Sequence, residues 1–142
     1  VAQGPEVATF EKEFSEHFVP GRISVAVNSG TSGQHLGQLA AGIGPGDEVI
    51  VPSFTFAATA NSVALTGATP VFVDIEPQYF GLDPKAVEAA ITKKTKAIMP
   101  VHLYGHPARI DEIAAIAKKH GLFIIGRDGR LRETPTPPER KH

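Results

Sequence analysis

The residues best suited to chemistry in this chain lie together at Asn28-Ser29-Gly30-Thr31-Ser32-Gly33. There an apolar run, Ile23-Ser24-Val25-Ala26-Val27, breaks at small polar residues and glycine before a helix-forming stretch. A strand-to-helix turn of such residues aims unpaired backbone N–H groups and the positive end of a helix dipole at one point, which seats an anion such as a phosphate. The stretch lacks the G-x-G-x-x-G spacing of a dinucleotide site and the terminal Gly-Lys-Ser/Thr of a Walker loop. The same residues could simply cap a helix, with Thr31 or Ser32 as the cap. Spacing alone leaves both readings open.

Other polar groups are placed by the elements that carry them. Ser53-Phe54-Thr55-Phe56, Asp74 and His102-Leu103-Tyr104-Gly105 each follow an apolar, strand-like run. Gly42-Ile43-Gly44-Pro45-Gly46-Asp47 contains a Gly-x-Gly, but it follows a helix and precedes a strand, the reverse of a dinucleotide site, and reads as a turn. His102 and His106 have a spacing that some metal sites use, yet they flank a glycine with no third ligand nearby, so a loop role is favoured and no metal is assigned. His120 stands at a helix C-terminus, where it suits the dipole, and His17 and His35 fall on solvated helix faces. No Gly-x-Ser-x-Gly elbow is present.

Those positions need a scaffold, and the rest of the chain supplies its outline. A length of 142 residues suits one domain. Near-balanced charge, net −1, argues against nucleic acid or an anionic membrane as the main partner. The absence of cysteine excludes disulfides and thiolate metal sites. No apolar run approaches the roughly 20 residues that span a bilayer, and the expected location is the cytoplasm.

Residues 5 to 18 place Val7, Phe10, Phe14 and Phe18 three and four apart among glutamates and Lys12, the period of an amphipathic helix with an aromatic stripe to bury. Strands are expected at residues 23–27, 48–51, 71–74, 96–101 and 122–125. Helices fall between them, at residues 32–41, 57–65, 84–91 and 111–120. Asp83-Pro84 is a strong helix start, and Asp111 is the expected cap of the last helix. Apolar runs rather than alternation predict strands covered on both faces. The fold class is therefore α/β, three layers in α/β/α order around a mainly parallel sheet, with its ligand crevice beyond the strand carboxyl ends. From Gly126 the rhythm stops: residues 126–142 hold three prolines and one sizeable aliphatic residue, Leu131, and are expected to be a disordered tail.

Five stretches carry a family likeness: Gly4-Pro5-Glu6-Val7; Asn28-Ser29-Gly30-Thr31-Ser32; the run Gly44-Pro45-Gly46-Asp47-Glu48-Val49-Ile50-Val51-Pro52-Ser53; Gly67-Ala68-Thr69-Pro70-Val71-Phe72-Val73-Asp74; and Pro100-Val101-His102-Leu103-Tyr104-Gly105. In this order, over residues 4 to 125, the chain resembles the DegT/DnrJ/EryC1/StrS family of sugar aminotransferases, which use pyridoxal 5'-phosphate on a fold type I scaffold. The resemblance implies that residues 1–125 are part of the cofactor-binding large domain. It also implies that Gly30, Thr31 and Ser32 bind the cofactor phosphate and that Phe56 lies against the pyridine ring. Amino-sugar biosynthesis is the implied activity: amination of a nucleotide-linked keto sugar by an amino donor, in a homodimer. A dehydratase using the same cofactor is a variant within the family.

The departures are equally specific. Where the family has an acidic-Asp-Ala-Ala run after the fifth strand, with the Asp paired to the pyridinium nitrogen, this chain reads Gly126-Arg127-Asp128. A cation at Arg127 would disfavour protonation of the ring. The family's Schiff-base lysine lies further along, and none of Lys12, Lys85, Lys93, Lys94, Lys96, Lys118, Lys119 or Lys141 occupies a matching motif. A truncation or frameshift after Ile125 would account for this. The alternative reading is then a catalytically inactive remnant, at most a weak phosphate-binding or dimer-forming module. Gln34 and Gln38 also stand where apolar residues are usual, a cost in a core unless their amides are paired.

Overall fold

A computed structural model describes residues 4–126 and 131–132. The first helix, α1 (Pro5–Phe18), starts as its sequence predicts, with proline in the first turn, where no N–H is missed. Its aromatic stripe is not buried as expected. Phe10, Phe14 and Phe18 meet one another in tilted ring contacts along the helix, and Phe10 and Phe18 stay exposed because no sheet or helix layer covers that face among the described residues.

The next expected element is the largest departure. Residues 23–27 do not form a strand. They run beside α1, whose side chains supply their partners: Ser15 Oγ accepts the Ser24 N–H at 2.9 Å, and Glu11 Oε1 accepts the Ala26 N–H at 2.7 Å. Ile23 is consequently 93% exposed, and Val25 and Val27 also face out. β propensity makes a strand only where another strand is there to pair with, and none stands alongside among the described residues.

From α2 (Gly30–Ala40) onward the α/β alternation holds. β1 (Glu48–Pro52), α3 (Ala58–Leu65), β2 (Thr69–Val73), α4 (Pro84–Ala90), β3 (Thr95–Ile98), α5 (Ile110–His120) and β4 (Phe123–Ile125) follow in order. β1 pairs in parallel with both β2 and β3, and β3 in parallel with β4. The expected disorder of residues 126–142 does not extend to residues 131–132, which form β5 (Leu131–Arg132), antiparallel to β4 and the last strand in the order β2-β1-β3-β4-β5. The backbone edge of β4 offers ladder groups that even a short antiparallel strand can satisfy. Arg127 and Asp128 lie outside the described residues.

The side-chain period of two splits β1 between two cores. Val49 and Val51 pack with Val63, Ala97, Met99 and Ile125 on the face covered by α2 and α3, while Ile50 packs with Val87, Ile98, Ile113 and Ile124 on the face covered by α4 and α5. This is the three-layer α/β/α arrangement. β2, at the edge, is less enclosed than expected, since Phe72 is exposed. Asp83 caps α4 through the Lys85 N–H at 3.0 Å. The expected cap of α5 shifts: Arg109 is the N-cap residue and Asp111 sits inside the first turn, where its charge still favours the helix dipole.

Candidate functional site

Parallel connections bring every strand-to-helix turn to one end of the sheet. α2 packs beside α3, with Gln38 Nε2 donating to Ser62 Oγ at 2.9 Å. Both helices run back toward the start of a following strand, so their N-termini share the rim beyond the carboxyl ends of the strands.

At the first of these N-termini the cap is neither Thr31 nor Ser32 but Ser29, whose side chain accepts the Ser32 N–H at 3.2 Å. Ser32 is itself committed, since its hydroxyl donates to Asn28 Oδ1 at 2.7 Å. The Gly33 N–H goes to Ser29 O. Among the described residues the N–H groups of Gly30 and Thr31 have no backbone acceptor, as the first turn of a helix dictates. A Cβ placed on Gly30 would meet nothing within 4 Å, so the space where a side chain would stand at Gly30 is open.

At the second, β1 ends at Pro52 and the chain turns through Phe54 and Phe56 into α3. Phe56 is 65% exposed, so it is not the core anchor that its place before a helix would suit. Phe54, Thr55 and Phe56 form one wall of a cleft of about 510 Å³, and residues 102–105, after β3, form the other. Tyr104 projects from that second wall, 90% exposed, on a backbone held at φ +50°. Gly30, Thr31 and Ser32 do not line this cleft; the topology puts them at the same end of the sheet.

Sequence reasoning gave His102, in the second wall, and His106, just after it, only a loop role. His102 Nδ1 accepts the Ala108 N–H at 3.0 Å, whereas the His106 ring stacks on Tyr79 with centroids 4.1 Å apart. The two rings therefore serve separate contacts rather than one shared ligand set. Behind them, residues 76–81 fold around a single carboxylate: Glu76 accepts the N–H groups of Gln78, Tyr79 and Gly81 at 2.8, 2.9 and 3.2 Å. Desolvation pushes the Glu76 carboxyl upward, but these N–H donors, with Arg109 nearby, outweigh it and hold the group below the usual carboxylate range. No sequence signal marked Glu76, because its three partners are backbone.

The opposite end of the sheet holds a different cluster. Glu88 accepts from His120 at 3.0 Å and from Lys119, and these two partners keep its carboxyl below the ordinary value. Lys93 lines the same end. Lys93, Lys118, Lys119 and His120 are thus separated from the cleft by the length of the sheet.

Comparison with known proteins gives a consistent picture. The model of the DegT/DnrJ/EryC1/StrS aminotransferase family matches residues 1–127. The chain is 50% identical over 125 residues to the spore coat polysaccharide biosynthesis protein SpsC of Bacillus subtilis, covering 88% of this chain and 32% of that protein. It is 51% identical over 122 residues to the UDP-2-acetamido-2-deoxy-3-oxo-D-glucuronate aminotransferase of Pseudomonas aeruginosa, covering 86% and 34%. Among solved structures it is similar to S. venezuelae DesV in complex with a ketimine intermediate, with TM-score 0.82 and 48% identity over 88% of this chain and 33% of that one. It is also similar to NtdA from Bacillus subtilis with bound cofactor PMP, with TM-score 0.84 and 44% identity over 89% and 29%. The chain spans about a third of the length of the curated relatives it matches.

Proposed function

This chain belongs to the DegT/DnrJ/EryC1/StrS aminotransferase family, and we propose that it carries the phosphate seat and one ring wall of a pyridoxal 5'-phosphate site in a nucleotide-sugar aminotransferase. The observation that carries this reading is the rim itself. Two N–H groups at the N-terminus of α2 stay open because Ser29 and Ser32 satisfy the rest of the turn, and an exposed aromatic, Phe56, stands at the neighbouring helix start. That donor set suits a phosphate dianion attached to a flat ring.

Gly30, Thr31 and Ser32 would hold the phosphate: the first two through backbone N–H groups, Thr31 also through its hydroxyl, and Ser32 by keeping Asn28 and the turn in place. Phe56 would present its face to the ring and exclude water from that side. When bound, the cofactor supplies an electron sink for moving an amino group from a donor to a keto sugar.

Residues 1–125 then act as part of the cofactor-binding large domain, and β5 adds an edge strand to its sheet. By itself the 142-residue polypeptide binds the cofactor loosely and does not turn over. Attraction of an anion to a helix terminus contributes only about 0.3–1 kcal/mol, or about 2 kcal/mol when partly buried. Arg127 takes the place of the family's Asp, and Lys93, Lys118 and Lys119 stand at the far end of the sheet. The partners proposed for the whole enzyme are a nucleotide sugar, an amino donor and a second copy in a homodimer. The test is to incubate the purified chain with pyridoxal 5'-phosphate, reduce with borohydride and map adducts, alongside half-transamination with glutamate. Diffuse, low-level labelling without turnover is expected. A single specific lysyl adduct with turnover would overturn the inactive reading, and Thr31→Ala binding pyridoxamine 5'-phosphate as well as the wild type would overturn the hydroxyl contact from Thr31, while Gly30→Pro, which crowds the turn, binding it as well as the wild type would overturn the phosphate seat.

A further inference from the structure

The second wall of the cleft contains a side chain whose hydrogen-bonding state is set by the backbone. A backbone N–H can only donate, so His102 Nδ1, which accepts the Ala108 N–H at 3.0 Å, is a bare lone pair and the ring hydrogen of the neutral imidazole sits on Nε2. The Ala108 amide is held in turn. Gly81 faces Ala108, and a Cβ added to Gly81 would meet Ala108 Cα and Cβ at an ordinary contact distance of 3.4 Å. Gly81 is fixed by the Glu76 carboxylate, and the stack of His106 on Tyr79 ties the same loop to the wall. The Ala108 N–H thus determines which nitrogen of His102 carries hydrogen, on a residue that lines the space beside Phe56.

We propose that His102 is a preset hydrogen-bond donor, offering Nε2–H to an acceptor atom of the flat ring ligand that the cleft takes up. The proposal rests on the cofactor reading of the same cleft, and it adds a positioning residue that the phosphate seat and Phe56 do not supply. A donor fixed before binding loses little freedom on binding, so it orients the ring within its plane while Phe56 covers its face. Gly81 and Ala108 act through His102 and touch no ligand themselves.

Two measurements test it on the full chain. Long-range proton–nitrogen NMR, with His102 assigned by its loss in His102→Phe, should show bare Nδ1 and protonated Nε2. An Nδ1–H tautomer, or the averaged pattern of a solvated histidine, would overturn the assignment. Pyridoxamine 5'-phosphate, which has no aldehyde to react with stray lysines, is then titrated into wild type, His102→Phe and His102→Gln. Loss of one well-placed hydrogen bond should weaken binding about 10-fold in His102→Phe, and glutamine, which can present an N–H near the Nε2 position, should recover part of that loss. Wild-type affinity in His102→Phe overturns the proposal. If His102→Phe fails to fold, His102→Gln decides through its affinity against wild type together with the tautomer spectrum: a bare Nδ1 and near-wild-type binding support the donor, and an Nδ1–H spectrum sinks it. Wild type that takes up no pyridoxamine 5'-phosphate sinks the cofactor reading and this ligand together, whereas binding that depends on Thr31 but not on His102 sinks this proposal alone.

Discussion

Replacing Gln38 by methionine should stabilise the chain, and the size of the effect can be worked from its surroundings. Gln38 is fully buried between α2 and α3. Its Nε2 donates to Gln34 O at 3.2 Å and to Ser62 Oγ at 2.9 Å, while its Oε1 has no partner among the described residues. Exchanging the amide ends would not help, because it would set two oxygens against each other at the Gln34 carbonyl. The two Nε2 bonds contribute about 0.5–1.5 kcal/mol each, and a buried carbonyl without a donor costs about 1–3 kcal/mol. Methionine has nearly the same length and no polar atom to satisfy, and it leaves the former partners content. Gln34 O keeps its helical N–H, and the Ser62 hydroxyl still donates to Thr59 O at 2.9 Å. Adding the recovered apolar burial, about 1 kcal/mol, the net gain is roughly 1 kcal/mol, which for a chain of this size raises the thermal midpoint by about 4 °C. Thermal and urea unfolding followed by circular dichroism measure it. Ser62→Ala provides the internal check: in wild type it strands a buried N–H, whereas in the methionine background it loses only the bond to Thr59, so the two substitutions should couple by about 1 kcal/mol. A midpoint that falls with methionine, or additive effects, would refute the reasoning.

Four further outcomes follow from named contacts. Glu76 titrates below its unfolded value, so the stability it contributes is complete above the ordinary carboxylate range and disappears as pH falls through the depressed folded value; Glu76→Gln should flatten unfolding profiles in that acidic window and leave the wild-type curve steeper there. Ser29→Ala removes the cap of α2 and should cost about 1 kcal/mol, read by urea unfolding, while Ser29→Gly should cost only a few tenths. Ile113→Ala, in the core under α4 and α5, should cost about 2–5 kcal/mol, so retention of the wild-type midpoint would show that this core is not packed as described. Val25→Lys together with Ile23→Lys lies on an exposed, unpaired segment and should change stability by no more than about 0.5 kcal/mol. It should also reduce self-association in sedimentation, and a large loss of stability would mean residues 23–27 are covered.

Much of this protein could be read from residue order. Alternation of apolar runs with capped helical stretches gave β1 through β4 and the helices between them, because periodicity, caps such as Asp83 and stops such as Gly121 act within a few residues of where they stand. The family was legible for the same reason: each of its motifs is contiguous. What failed was what depends on a neighbour far along the chain. Residues 23–27 have strand composition and no strand to pair with, the aromatic face of α1 has no layer above it, and Leu131, in a stretch unsuited to a core, finds the edge of β4. Only the tertiary structure could show that Ser29 rather than Thr31 or Ser32 caps α2, that Phe56 faces outward, and that Ala108 sets the tautomer of His102 from behind. Those decisions rest on which backbone group comes within hydrogen-bonding distance of which side chain, a matter of geometry between elements that no local pattern encodes.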